Sequence, residues 1–120
     1  MEWIVRFHDD FEAEFEALPP AVQTEMLAHA KVLARIGPTL GRPLVDTLAG
    51  SRHANMKELR FDAAGGVWRV AFAFDPVRAA VLLVAGDKGG IAQKRFYRSL
   101  IDRADSRFDA HLASLGRKEK

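Results

Sequence analysis

Two stretches decide the fold: SRHANMKELR, residues 51–60, and VWRVAFAF, residues 67–74. Large apolar residues alternate in them with small or charged ones, as in β-strands, where successive side chains point to opposite faces. Glu58 and Arg60 would share one face of the first strand, and Arg69 would lie among small residues on one face of the second. We therefore expect a sheet with one buried apolar face and one open cationic face that suits a phosphate-bearing partner.

The two strands belong to a predicted meander of three antiparallel strands. Turn-forming residues after the first and the second strand predict hairpin connections. The run AAVLLVA, residues 79–85, does not alternate, which indicates a central strand covered on both faces. The strands are expected at Met56–Asp62, Val67–Phe74 and Ala79–Gly86.

The elements around the meander are a strand and three helices. Residues 3–7 alternate and predict a first strand, whereas residues 9–18 and 20–36 carry apolar side chains at helical spacing. Pro19-Pro20 separates these two helices and predicts an αα-hairpin. An apolar stripe in residues 96–115 predicts a C-terminal helix.

These elements predict a two-layer α+β domain, in which the N-terminal strand joins the meander and the helical hairpin covers one face. Residues 37–55 would form a long connection without regular structure. Residues 1–115 would be a single domain and residues 116–120 a frayed tail.

Composition excludes several classes of protein. A chain of 120 residues suits one domain, and without cysteine it has neither a disulfide framework nor a cysteine nucleophile. No apolar run approaches the roughly 18 residues that cross a bilayer, and the N-terminus lacks the order of a signal peptide. We expect a cytoplasmic protein that does not enter a membrane.

The charge is distributed unevenly along the chain. Residues 1–36 hold seven acids and three bases, a net charge of −4, whereas residues 37–120 hold nine acids and fifteen bases, a net charge of +6. Four cations and no acid lie in the stretch 88–98: Lys88, Lys94, Arg95 and Arg98. Such a cluster is typical of a nucleic-acid interface, and a solvated helix face is the alternative.

Several motifs together carry a family resemblance over nearly the whole chain. They are LGRPLVDTL at 40–48, GSRHANMKELR at 50–60, WRVAFAFDP at 68–76, GDK at 86–88 and the C-terminal helix from Phe96. With them the chain resembles the RelE/ParE superfamily of toxins, and more narrowly the HigB-like, phage-derived branch. The stretch 89–95, GGIAQKR, departs from the family pattern because it is more basic.

The resemblance implies a RelE-like toxin of a type II toxin–antitoxin system. Such a toxin is a ribosome-dependent mRNA endoribonuclease that blocks translation and is neutralised by a cognate antitoxin. The implied partners are the ribosome with its mRNA and an antitoxin, expected to be a helix-turn-helix protein encoded by the adjacent gene. Operator DNA would be reached only through that antitoxin.

The resemblance also implies a set of catalytic residues, namely Lys57, Arg60, Arg69, Lys88 and Tyr97. Cutting RNA through its 2′-hydroxyl needs a proton acceptor, charge stabilisation at phosphorus and an acid for the leaving oxygen. Arg69 and Lys57 are expected to hold the phosphate, because arginine donates two hydrogen bonds from a planar fork and lysine acts as a mobile charge. Proton transfer is assigned to Tyr97 or His53, with Arg60 and Lys88 in support.

Four further residues are predicted to bind RNA: His53, Lys94, Arg95 and Arg98. The histidines show no metal-ligand spacing, so neither a metal nor another cofactor is expected. Structural alternatives exist for four candidates. Arg60 could pair with Glu58, Arg69 could have a structural role, the Tyr97 ring could pack in the core, and His53 could be an ordinary loop residue.

Two other functions fit the same fold. A ParE-like toxin would inhibit DNA gyrase by protein contact and would not need the catalytic residues. A non-catalytic module would act with its antitoxin in autoregulation, and the altered stretch 89–95 favours that alternative.

Overall fold

The computed structural model describes residues 2–118. They form five strands and three α-helices: β1 Ile4–Phe7, α1 Asp9–Glu16, α2 Pro20–Ile36, β2 Val45–Thr47, β3 Lys57–Ala63, β4 Gly66–Phe74, β5 Ala79–Asp87 and α3 Gln93–Lys118. The strands make one sheet in the order β1-β5-β4-β3-β2, in which only the β1–β5 pair is parallel. The predicted α+β fold, with its meander and added N-terminal strand, is confirmed.

The helices cover both faces of the sheet, so the arrangement has three layers and not the predicted two. α1 and α2 pack on the face formed by Leu59, Val70 and Phe72, and α3 packs on the face formed by Ala71 and Ala73. Because α3 has an apolar stripe of its own, it must bury that stripe against the sheet. The face that was expected to be open and cationic therefore lies under a helix.

β2 is a short strand inside the connection predicted to be irregular. Its register with β3 sets Val45 opposite Leu59 and Asp46 opposite Glu58. Three residues are too few to show an alternating pattern in a sequence. The strand nevertheless matters, because it brings the Asp46 carboxylate beside Glu58.

β5 is buried on both faces, as its unbroken apolar run predicted. Phe72 pairs with Leu82 and Ala71 with Val84, which leaves Leu83 as an extra residue in a β-bulge. As a result Leu82 packs against α1 and α2, and Leu83 and Val84 pack against α3.

α3 continues to Lys118, beyond Gly116, where a frayed tail was predicted to begin. Residues 119 and 120 lie outside the described residues. The single-domain boundary at residue 115 stays a prediction. No helix in the described part of the chain is long and apolar enough to span a bilayer.

Gly37 ends α2 with φ 77° and ψ −150°, a conformation that is essentially restricted to glycine. A Cβ atom there would also collide with the Trp3 indole. We expect Gly37→Ala to lower the free energy of unfolding by roughly 1–3 kcal/mol, measured by urea denaturation. Gly41→Ala is the matched control, since a Cβ there meets no atom within 4 Å. Equal stability of the two variants would contradict the expected strain.

Candidate active site

A cleft of about 620 Å³ opens between the β2–β3 edge of the sheet and the first turns of α3. β2 and the loop after it form one wall, and α3 forms the other. The side chains of its polar end are Arg42, Asp46, Glu58, Arg60, Lys94 and Tyr97.

Glu58 is the centre of the polar end and is only 3% exposed. The Tyr97 hydroxyl donates a hydrogen bond to Glu58 Oε1 at 2.9 Å, and Arg60 Nη1 donates to Oε2 at 3.2 Å. Arg69 Nε lies 3.8 Å from Oε1. One buried carboxylate is therefore surrounded by two guanidinium groups and a phenol.

Strand register explains why these groups meet. Arg60 and Arg69 lie directly opposite each other on β3 and β4, and Glu58 is two residues from Arg60 on the same face. Two cations at this distance repel each other, so the Glu58 carboxylate between them lowers the energy of the pair. α3 then places Tyr97 over the carboxylate.

Tyr97 is held as a proton donor. Burial is the largest cause that raises the pKa of its hydroxyl, and the hydrogen bond to Glu58 raises this pKa further. The Arg69 guanidinium offsets only part of the effect. A tyrosine in this state is protonated at neutral pH, so it does not act alone as the base.

Arg69 lies beneath Glu58 and Tyr97 and is not part of the cleft lining. Its side chain is 7% exposed, and Nη1 donates to the Trp68 carbonyl oxygen at 2.9 Å. Nε has no hydrogen-bond partner among the described residues. The geometry fits a residue that positions Glu58, and it does not fit the expectation that Arg69 grips the phosphate.

Lys57 is on the other face of the sheet. It pairs with Thr47 and Phe72 in regular register, and the strand alternation puts it with Leu59, opposite to Glu58. The expected partnership of Lys57 and Arg69 at one phosphate does not fit this arrangement. No bulge at the start of β3 redirects the side chain.

The cations of the stretch 88–98 are divided by α3. Lys88 Nζ lies 5.9 Å from the centre of the Tyr97 ring, and Lys94 lines the cleft. Arg95 lines a different groove on the other side of the helix, and Arg98 is exposed between them. Their assignment to RNA stays a prediction.

His53 is remote from this cluster. Its Nε2 lies 2.7 Å from Asp109 Oδ1, and its ring packs edge-on against Phe108. Asp109 follows Tyr97 by twelve residues on α3, a rise of about 18 Å. Arg52 and then His53 donate hydrogen bonds that lower the pKa of Asp109. His53 therefore anchors the loop before β3 to α3, and this position does not fit the expectation that His53 transfers a proton beside Tyr97.

Sequence reasoning missed Glu58, Asp46 and Arg42 as site residues. Asp46 Oδ2 accepts a hydrogen bond from Arg42 Nη2 at 2.6 Å and lies 3.7 Å from Arg60 Nη1. The available signal is that Glu58 shares its strand face with Arg60, a pairing expected above only as a structural alternative.

Chemically, the cleft combines a carboxylate that can accept a proton, a phenol hydrogen-bonded to it, and cations at the rim that suit phosphate oxygens. Within residues 2–118 no three or more His, Cys, Asp and Glu side chains are placed to hold a metal ion. The absence of metal from the reaction stays a prediction.

Comparisons with known proteins agree on one family. The family described as "Phage derived protein Gp49-like" matches residues 13–109. The Mycobacterium tuberculosis protein named "Putative toxin HigB3" is 46% identical over 103 residues, which cover 86% of this chain and 88% of that protein. "Putative toxin HigB2" of the same organism is 49% identical over 89 residues, 73% of this chain but only 44% of that relative's length.

Among solved structures, the fold is similar to that in the archaeal RelE–RelB complex from Pyrococcus horikoshii OT3. The TM-score is 0.54, and the match covers 75% of this chain and 99% of that chain. With 20% sequence identity, this likeness concerns the fold alone.

Proposed function

Because the chain belongs to the phage-derived Gp49-like family and to the HigB-like branch of RelE/ParE-type toxins, we propose that it cleaves mRNA on the ribosome as the toxin of a type II toxin–antitoxin pair. The observation that carries the catalytic part is the buried Glu58 carboxylate, with Tyr97 hydrogen-bonded to it at the wall of an open cationic cleft. Action on ribosomes would take place in the cytoplasm, and the cognate antitoxin would silence it.

Glu58 and Tyr97 form a proton relay in this proposal. As the ribose 2′-oxygen attacks phosphorus, its proton passes to the Tyr97 oxygen while the Tyr97 proton passes to Glu58. The reverse transfers deliver a proton to the leaving 5′-oxygen, so the relay ends in its starting state. The products are a 2′,3′-cyclic phosphate and a free 5′-hydroxyl.

The cations at the cleft bind the phosphate or position the relay residues. Arg60 is 25% exposed and Lys94 is exposed, so both can reach a phosphate in the cleft. Their charges stabilise the negative charge that develops on the phosphate oxygens. Arg69, beneath them, orients the Glu58 carboxylate, and Lys88 supports the Tyr97 ring.

Mapping of mRNA 5′ ends in a translating ribosome system tests the activity. We expect discrete cuts with the wild-type protein and about a hundredfold fewer with Tyr97→Phe, which keeps the ring but removes the relay hydroxyl. Asp62→Asn, an exposed change on the same strand face as Glu58, should cut like the wild type. A correctly folded wild-type protein that makes no cuts would refute the endoribonuclease.

One observation favours a non-catalytic binding module. Glu58 is nearly inaccessible and bridged by three groups, which is also the geometry of a structural ion cluster. That module would bind antitoxin without cutting mRNA. If the protein were instead a ParE-like gyrase inhibitor, the Tyr97→Phe variant should arrest growth as strongly as the wild type.

A further inference from the structure

A second groove lies on the opposite side of α3 from the active-site cleft. β1 pairs with β5 only from Ala79 to Leu82, so the edge of β5 beyond the bulge has no neighbouring strand among the described residues. Residues 84–87 of this edge and the outer flank of α3 enclose about 440 Å³.

The open edge of β5 presents unpaired backbone groups. The Lys88 N–H donates to the Val67 carbonyl oxygen at 2.8 Å, and bonded pairs alternate along an antiparallel ladder. Gly86 and Val84 therefore bond to β4, whereas the N–H and C=O of Ala85 and Asp87 point outward. No hydrogen bond from residues 2–118 satisfies these four groups. The outward N–H and C=O groups recur at every second residue, which is the spacing at which an added strand would form hydrogen bonds with β5.

The α3 wall adds a line of exposed positive charge above an apolar floor. Arg95, Ser99 and Arg103 follow at intervals of four residues, so they lie on one flank of the helix. Neither arginine is within salt-bridge distance of a carboxylate in the described part of the chain. Phe96, Leu100 and Val84 form the floor, and Ile91, 46% exposed, lies at one end.

The acid in the lining does not neutralise these arginines. Asp87 Oδ1 already accepts hydrogen bonds from the N–H groups of Val67 and Gly89, each at 2.9 Å. Among the described residues Asp87 forms no ion pair with Arg95 or Arg103, so both arginines remain available to a ligand in the groove.

We propose that this groove binds an extended acidic segment of the antitoxin, which adds to the edge of β5 as a sixth strand. A strand and a helix that flank such a groove form a common peptide-recognition site. Peptide fits better than RNA, because a second peptide backbone offers both N–H donors and C=O acceptors at strand spacing, whereas a row of phosphate oxygens offers acceptors only. The proposal rests on the proposed function, since it assumes an antitoxin partner.

Spacing further defines the segment. Arg95 and Arg103 are eight helical residues apart, about 12 Å. Two side chains on one face of a strand at positions i and i+4 are about 13 Å apart, so carboxylates at this interval would meet both arginines. A docked segment would restrain the turn of α3 that carries Phe96 in the groove and Tyr97 in the cleft.

Calorimetric titration with the protein encoded by the adjacent gene tests this proposal on the full-length toxin. We expect Arg95→Glu/Arg103→Glu to weaken binding about 30-fold or more, because both carboxylates of the segment would then face like charges. Arg98→Glu is the matched control on the same helix, and its affinity should stay within about threefold of the wild type. An equal affinity of the double variant and the wild type would overturn the proposal.

Amide hydrogen exchange distinguishes strand addition from a purely electrostatic contact, because only new backbone hydrogen bonds protect the amides of β5. In the complex the Ala85 and Asp87 amides should gain protection, whereas the Gly86 amide, already bonded to β4, should change little. Lack of protection at Ala85 and Asp87 would refute strand addition.

Two outcomes of the binding experiment have a different meaning. If the wild-type toxin did not bind the adjacent-gene protein, the antitoxin partner in the proposed function would be refuted, and not only the groove. A double variant that binds this protein normally but loses ribosome binding would assign the groove to RNA.

Discussion

Glu58→Gln should lower the rate of mRNA cleavage by about 10²–10⁴-fold, the range that a positioned general base contributes. Glutamine preserves the shape of the side chain and can still accept a hydrogen bond from Tyr97. It cannot take the proton that the relay transfers, so the first step of the proposed reaction loses its acceptor. The loss should appear in the number of mapped 5′ ends per ribosome and in relief of growth arrest.

The control for this variant is again Asp62→Asn, which removes an exposed carboxylate from the same strand face. Circular dichroism should show the same fold for both variants. If Glu58→Gln cut mRNA within about threefold of the wild-type rate, the carboxylate would be only a structural counter-ion, since a base contributes far more.

Arg69→Met should lower the free energy of unfolding by about 3 kcal/mol, the low end for a broken buried ion pair, because the buried Glu58 carboxylate keeps only Arg60 as a cationic neighbour among the described residues. Arg69 is 7% exposed and lies 3.8 Å from the equally buried Glu58. The remaining cation, Arg60, is partly solvated and lies on the cleft side of the carboxylate. Urea denaturation measures the effect.

The double variant Glu58→Met/Arg69→Met separates charge from packing. Replacing both members of a buried pair by apolar side chains is often neutral, so the double variant should be more stable than Arg69→Met alone. If Arg69→Met were as stable as the wild-type protein, the Glu58–Arg69 pair would not be an energetic link between β3 and β4.

The elements other than the short strand β2 could be predicted from the sequence, in their order, because each of them rests on a local pattern. Alternation specified β3 and β4, helical spacing specified α1 and α2, and the unbroken apolar run of β5 indicated burial on both faces. Arg60 and Tyr97, which the family resemblance implied for the site, are indeed neighbours of Glu58. The roles of these residues stay predictions until they are measured.

Other parts of the site depend on contacts that no local pattern contains. A predicted helix has an apolar stripe, but the stripe does not state which face of the sheet it will cover. Once α3 covers the arginine face, Arg69 becomes buried and the cations of residues 88–98 separate onto two sides of the helix. His53 was a candidate by its position in the sequence, and its contact with Asp109 removed it from the cleft.

By itself the sequence determined four of the five described strands and the three α-helices, which follow from the spacing of side chains along the chain, and its motifs carried the resemblance to HigB-like toxins. The tertiary structure placed Glu58 at the centre of the polar end of the cleft and Lys57, its neighbour in the sequence, on the other face of the sheet. The physical reason is that a side chain's charge acts through space. Its energetic role depends on which groups other strands and helices bring within a few ångströms of it.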